Sequence, residues 1–358
     1  MKRLILLLFI SLSAAKAETI DALIKEAAAN NPELAFYEKQ VGALPKALAD
    51  SPVIPQPLDF PARESLRSAV LNLDAPLARL YLEQFRFVLA STVRLKAIEY
   101  QAESEAAVWA ADSAKRTTAL VRMLEQRPAA GNEALVERRI LEGAALPFIG
   151  EAARARVEVA RLRLELNGLL GRKSDTKLTV EEAFTLPPEP STVPSGNLTS
   201  TVRNAEIERG LSGLDAAVTM EAFTAAPWFS QEDTGDVLTG FTRPSGTGAT
   251  SPASRRERLI EDAREKISRE LTRRSQVSAA AREVATAVPE KLVQNLKAAA
   301  ELADRQYRVG ALPVNLVLEV NRESLGAITT RNDAILRAWR SSLDVDLLSL
   351  ATQSTTKP

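Results

Sequence analysis

Any chemistry in this chain has to be built from carboxylates, amines, guanidinium groups and hydroxyls, because it contains neither Cys nor His. Ser-His-Asp and Cys-His nucleophile systems, thiolate and imidazole metal sites and a charge switch near neutral pH all lose their usual residue. What remains is weaker. Between Arg255 and Arg274, Asp262 and Lys266, Glu265 and Arg269, and Glu270 and Arg274 stand at i,i+4 spacing. Such pairs share a helix face and stabilise it by only ~0.2–0.5 kcal/mol each. Five acids are interleaved with the eight bases there, so the stretch reads as a solvated helix rather than a nucleic-acid surface. Gly246-Thr247-Gly248 lacks the Lys and the following helix of a phosphate loop. Carboxylates are too numerous for a glycosidase-type pair to be singled out. Trp109 and Trp339 fall on apolar seams and read as packing residues. No catalytic constellation, cofactor site or metal site emerges, and the chain is expected not to be an enzyme.

Two turns have a better claim to function. Arg127-Pro128-Ala129-Ala130-Gly131 and Tyr307-Arg308-Val309-Gly310-Ala311-Leu312-Pro313 each interrupt a long helical pattern. Pro lacks an amide donor and Gly admits left-handed backbone, so both segments turn the chain. A turn at the far end of two long helices has little of its own to pack against. Arg127, Gly131, Tyr307, Gly310, Leu312 and Pro313 are therefore candidate partner-contact positions, although the same Gly and Pro also simply make the turn.

The elements that present these turns are legible in the apolar spacing. From about Ala78 to Arg127, Phe85, Val88, Thr92, Leu95, Ala102, Ala106 and Trp109 recur at 3/4 spacing, interrupted by Glu99. One continuous helix over that range would be ~75 Å long, which suits an extended bundle better than a compact core. A second helix is expected from about Glu133 to Gly171, with Val157, Ala160, Leu164 and Gly168 along one face. The two make an antiparallel hairpin.

The chain then repeats itself. Placing Gly131 on Gly310 aligns Val157, Ala160, Leu164, Gly168 and Gly171 with Leu336, Trp339, Leu343, Leu347 and Leu350 without a gap. The second descending arm runs from about Glu257 to Arg308, with Pro289 expected to kink or interrupt it. Asn31-Pro32-Glu33-Leu34 likewise lies over Asn204-Ala205-Glu206-Ile207, so each half begins with a shorter helix. The expected division is a leader over 1–17, a first helical repeat over 18–185, a Pro/Ser/Gly-rich linker over 186–197, a second repeat over 198–351 and a disordered tail over 352–358.

Lys2 and Arg3, the apolar run Leu4 to Leu12, and Ala15-Lys16-Ala17 form the pattern of a secretory signal. The apolar run is shorter than the ~20 residues of a membrane-spanning helix. An exported chain without disulfides has to gain its stability by burying apolar surface in itself or against other subunits. Lys plus Arg and Asp plus Glu number 46 each, a balance that argues against a nucleic-acid partner.

With these residues in view, the chain resembles the TolC-like outer-membrane efflux family. The resemblance is carried by Thr19-Ile20-Asp21-Ala22-Leu23, Asn30-Asn31-Pro32-Glu33-Leu34, the Tyr307-x-x-Gly310 turn and the heptad-like return helix to Leu350. It implies a mainly α fold, two tandem repeats of a short helix plus a long antiparallel hairpin, closing into a helical barrel on trimerisation. It further implies a homotrimeric exit duct whose hairpin tips meet a periplasmic adaptor and an inner-membrane pump. The family inserts two strands per half to build an outer-membrane barrel. Here Leu44 to Pro76 holds Pro45, Pro52, Pro55, Pro57, Pro61 and Pro76, and Ala226 to Ser254 offers only a short hairpin. A membrane strand needs about 9 to 11 alternating residues, so little or no β-barrel is expected. The alternative is a periplasmic helical scaffold that lacks a transmembrane barrel.

Overall fold

The computed structural model describes residues 18–44, 61–71, 75–125, 132–181, 184–188 and 252–349. The leader, the second short helix, the second insertion and the tail lie outside the described residues, as do most of the linker and Arg127 and Gly131 at the first tip. Eight helices are described: α1 (Ile20–Asn30), α2 (Pro32–Ala43), α3 (Pro61–Leu71), α4 (Ala75–Glu125), α5 (Asn132–Leu169), α6 (Pro252–Thr286), α7 (Glu290–Arg308) and α8 (Val314–Leu348). The described residues contain no strand, only a single parallel bridge between Glu18 and Val180.

Helix α4 runs unbroken for 51 residues and α5 returns antiparallel to it for 38. The second hairpin repeats this, except that its descending arm is split into α6 and α7 at Pro289, as the sequence predicts. Pro289 cannot donate a helical hydrogen bond and instead starts α7 from extended backbone. The hairpins pack as a layer in the order α5, α4, α8, then α6 continued by α7. No described helix is long and apolar enough to cross a membrane.

The largest apolar cluster lies at the end away from the turns, where Leu23, Leu34, Leu66, Phe85, Leu89, Leu166 and Leu170 are all buried. Its key joint is Asn31, between α1 and α2. Its Oδ1 accepts from Leu34 N at 2.9 Å, capping α2, while its Nδ2 donates to Leu169 O at 2.9 Å, satisfying a carbonyl at the end of α5. Gly171 then ends α5 with φ 68°. A Cβ there would stand 2.3 Å from the Asn30 carbonyl oxygen, so the close approach requires glycine. Arg172 follows and donates to Glu26 at 2.6 Å and to Glu18 at 2.8 Å.

Helix α3 is an element that the sequence does not announce, because the prolines of the first insertion suggest only a broken segment. Pro61 stands at its first position, where proline is tolerated. Leu66, Ala69 and Val70 are buried in the main cluster, and Arg63 Nη2 donates to Glu33 on α2 at 2.7 Å.

Beyond a turn at 173–176, the described residues after α5 are tied to the layer by hydrogen bonds. Glu18 N donates to Thr179 O at 2.9 Å, Tyr100 Oη to Leu178 O at 2.9 Å, and Trp339 Nε1 to Thr185 O at 2.8 Å. The stretch to residue 188 therefore connects three helical elements as well as the two halves.

Candidate functional site

The second turn forms as the sequence predicts, but its residues divide. Gly310 is exposed with φ 74° and donates its amide to Tyr307 O at 2.9 Å, and a Cβ added there would meet nothing within 4 Å. Pro313 is exposed and supplies the extended start of α8. Leu312 is half-buried against the tip cluster. Tyr307 is only 5 % exposed, and packs with Leu120, Leu141, Ala303, Val317 and Leu318. It holds the two hairpin tips together rather than offering itself to a partner. Residues that the motif reading passes over are also exposed: Val309 at 76 % on the same turn, Leu316 in the first turn of α8, and Leu135 and Val136 at the start of α5. Apolar side chains with no local packing partner were the signal available for them.

The face that the sequence suggests as the α5 seam is on the opposite side from α4. Val157 is 70 % exposed, and Leu164 and Gly168 are exposed as well. The residues that meet α4 are Leu141, Ala145, Phe148, Ala152, Ala155, Leu162 and Leu166. Both faces follow the same period, so periodicity alone does not separate them. Their counterparts on α8, Leu336 and Leu343, are buried, which makes the two repeats inequivalent. Helix α5 is thus apolar on two opposite sides, only one of which is covered. At the other edge of the layer, Val277 and Val284 on α6 and Leu292 and Leu302 on α7 are also exposed.

A few charged groups are buried and tie helices together. Glu99, which breaks the apolar pattern of α4, is a buried tie: Lys96 Nζ lies 3.0 Å from it and 3.2 Å from Glu165 on α5, and Arg340 on α8 donates to it at 3.0 Å. Farther down, Glu103 is held above its usual pKa by burial, against the pull of Arg154 and with the help of Glu158, Glu151 and Asp333. The charged helix is not uniformly solvated. Glu265–Arg269 is exposed, but Glu270 is buried between Arg273 and Arg274, whose hydrogen bonds hold its carboxyl below the usual value against the desolvation. Trp109 is buried with Val293 and Ile328, as a packing residue. A half-open cavity between α4 and the segment that follows α5 is lined by Tyr100, Ser104, Glu105, Phe184, Glu290 and Arg331, but Tyr100 and Arg331 are already committed to carbonyls of that segment.

No protein-family model matches the sequence, and neither does any curated protein. Solved structures do match in three dimensions. The outer membrane protein VceC from Vibrio cholerae superposes with a TM-score of 0.55 at 16 % identity, over 93 % of this chain and 96 % of that one. The open-state MtrE outer membrane channel of Neisseria gonorrhoeae gives 0.53 at 17 % identity, over 95 % and 91 %. CusC, described in terms of folding and transmembrane channel formation, gives 0.55 at 14 % identity, over 94 % and 93 %. The fold is the TolC-like one. At these identities the likeness fixes the architecture, and the match extends over nearly the whole of each TolC-like channel.

Proposed function

We propose that this chain is the exit duct of a tripartite efflux system, or the periplasmic helical part of one, working as a homotrimer with an adaptor and an inner-membrane pump. The observation that carries this reading is the pair of uncovered apolar edges on a TolC-like layer. A helix with apolar residues on two opposite faces, such as α5, needs two partners to bury them, and among the described residues α4 covers one face while Val157 and Leu164 on the other stay exposed. The free flank of α6 and α7 differs from that of α5, so the two fit as the two sides of a head-to-tail contact. Repeated with a fixed rotation, such a contact closes a ring around a central channel. The relatives in shape are outer membrane channels, which supports placing the protein in the cell envelope, at the outer membrane or in the periplasm beside it.

The test combines assembly with transport. Purified protein is expected to sediment as a trimer and to appear as a ring in electron micrographs, and deletion of its gene is expected to sensitise cells to exported solutes. A protein that stays monomeric in detergent and in buffer, and whose loss leaves efflux unchanged, overturns the reading. The prolines between Leu44 and Pro76 favour the scaffold alternative, since they remove sheet donors from the first insertion. Fractionation separates the two: release into the soluble periplasm with no single-channel conductance selects the scaffold.

A further inference from the structure

The apolar seam between α4 and α8 is interrupted, while on the α5 side of α4 the buried residues Ala145, Phe148 and Ala152 continue past the same level. Above, Trp109, Val293 and Ile328 pack together; at the tip, Leu120, Leu141, Ala303, Tyr307, Val317 and Leu318 pack together. Between them the facing residues of α4 and α8 are polar: Ser113, Thr117, Asn321 and Ser324 are each at most 1 % exposed. Arg116 enters this layer with long hydrogen bonds, 3.4 Å to Ser113 Oγ and 3.5 Å to Asn321 Oδ1, and its guanidinium lies 5.6 Å from the centroid of the Trp109 ring. Trp109 Nε1, Arg116 Nε, Ser324 Oγ and, just below, Asp304 Oδ1 are buried without a hydrogen-bond partner. Each such group carries a desolvation cost that no hydrogen bond returns, so packing between α4 and α8 is weaker at this level than in the clusters on either side.

The backbone is softened at the same level. Thr117 Oγ1 donates to Ser113 O at 2.9 Å and Asn321 Nδ2 to Val317 O at 2.9 Å, side-chain bonds that compete with the helical ladder in α4 and α8. Arg154 meets Glu103 and Arg138 meets Glu125, which sets Pro147 of α5 opposite about Ser113. Pro147 withholds the amide that the Gly143 carbonyl would accept, and Gly143 and Gly150 flank it with open space at both Cβ positions.

We infer that the hairpin tips form one rigid body, hinged to the shaft at this level. The tip cluster draws residues from α4, α5, α7 and α8 alike, so neither hairpin tip can swing without the other. Bending is expected where Pro147, the Ser113–Thr117 turn and the Asn321–Ser324 turn coincide. A shaft of uniform stiffness would need an apolar seam continuous between α4 and α8, and two tips that move separately would need a tip cluster divided between the hairpins; the clusters show neither.

Hydrogen exchange of the purified chain, read by mass spectrometry, tests this without reference to transport. Amides over 143–150 are expected to exchange at least about tenfold faster than those over 152–166 of the same helix, and the tip amides over 133–142 and 300–320 to share one rate. Replacing Gly143, Pro147 and Gly150 together by Ala is expected to slow exchange over 143–150 about tenfold, because it restores the ladder and all three positions face open solvent. Leu120→Ala, or the milder Leu141→Val, is expected to speed exchange at both tips alike. Equal protection of 143–150 and 152–166 in the natural chain overturns the hinge. A Leu120→Ala or Leu141→Val effect confined to 132–142, leaving 300–320 unchanged, overturns the single body.

Discussion

At the scale of single residues, the two left-handed glycines show how far a sequence discloses its own constraints. Both are visible as helix terminators, yet their surroundings differ. Gly171 presses on the Asn30 carbonyl while Gly310 faces open space. Gly171→Ala is therefore expected to cost ~3 kcal/mol or more, from the backbone conformation plus a contact with no room to relax. Gly310→Ala is expected to cost only ~1 kcal/mol, from conformation alone. Chemical denaturation of the two variants checks the difference. Gly310→Ala also bears on its candidacy as a contact position: lost efflux in a variant this stable assigns Gly310 to a partner rather than to the turn. Asp346, in the last turn of α8, has a carboxyl raised above its usual pKa by burial, which the charge of Arg94 only partly offsets. Its charged form is thus disfavoured by folding. Asp346→Asn is expected to raise the melting temperature at neutral pH, and the gain should shrink as pH falls through the raised pKa and vanish below the usual aspartate value, where both states carry the proton. A gain that persists unchanged into acid would contradict this assignment.

At the scale of elements, the sequence discloses lengths and breaks better than faces. Pro289 marks the split between α6 and α7, and the turn at Gly310 falls where expected, because proline and glycine act locally. The covered side of α5 is not the expected one because that helix carries two apolar faces of one period, and only the position of α4 decides between them. Helix α3 escapes detection for a related reason. The ion pair that ties it to α2, Arg63 with Glu33, joins residues distant in the chain. Arg63 and Glu33 side chains are 5 % and 12 % exposed, so removing Arg63 takes the paired cation from a nearly buried carboxylate. Arg63→Ala is expected to lower stability by ~3 kcal/mol, and the double variant Arg63→Met with Glu33→Leu to recover most of that loss. Thermal unfolding measures both, and limited proteolysis within 61–71 reports whether α3 has left the surface of α4. If the double variant is no more stable than Arg63→Ala, the pair is not acting as a buried ion pair.

At the scale of the whole molecule, what the sequence could not show is which surfaces a single chain leaves bare, since exposure exists only once the helices are placed. The bare edges are unlike one another, Val157 and Leu164 on α5 against Leu292 and Leu302 on α7, and this difference makes a specific demand on assembly. A two-fold contact would join like edges, whereas the proposed ring joins unlike ones. Val157→Glu with Leu164→Glu, and separately Leu292→Glu with Leu302→Glu, each place two charges on an exposed face and should leave the fold intact by circular dichroism. Each variant alone retains one competent edge and is expected to remain monomeric in sedimentation. Mixed in equal amounts, the intact α7 edge of the first can meet the intact α5 edge of the second once, and the pair then presents only spoiled edges. The mixture is expected to stop at heterodimers. Larger rings in the mixture, or homodimers of either variant alone, would show that like edges meet, and the head-to-tail duct would have to be abandoned.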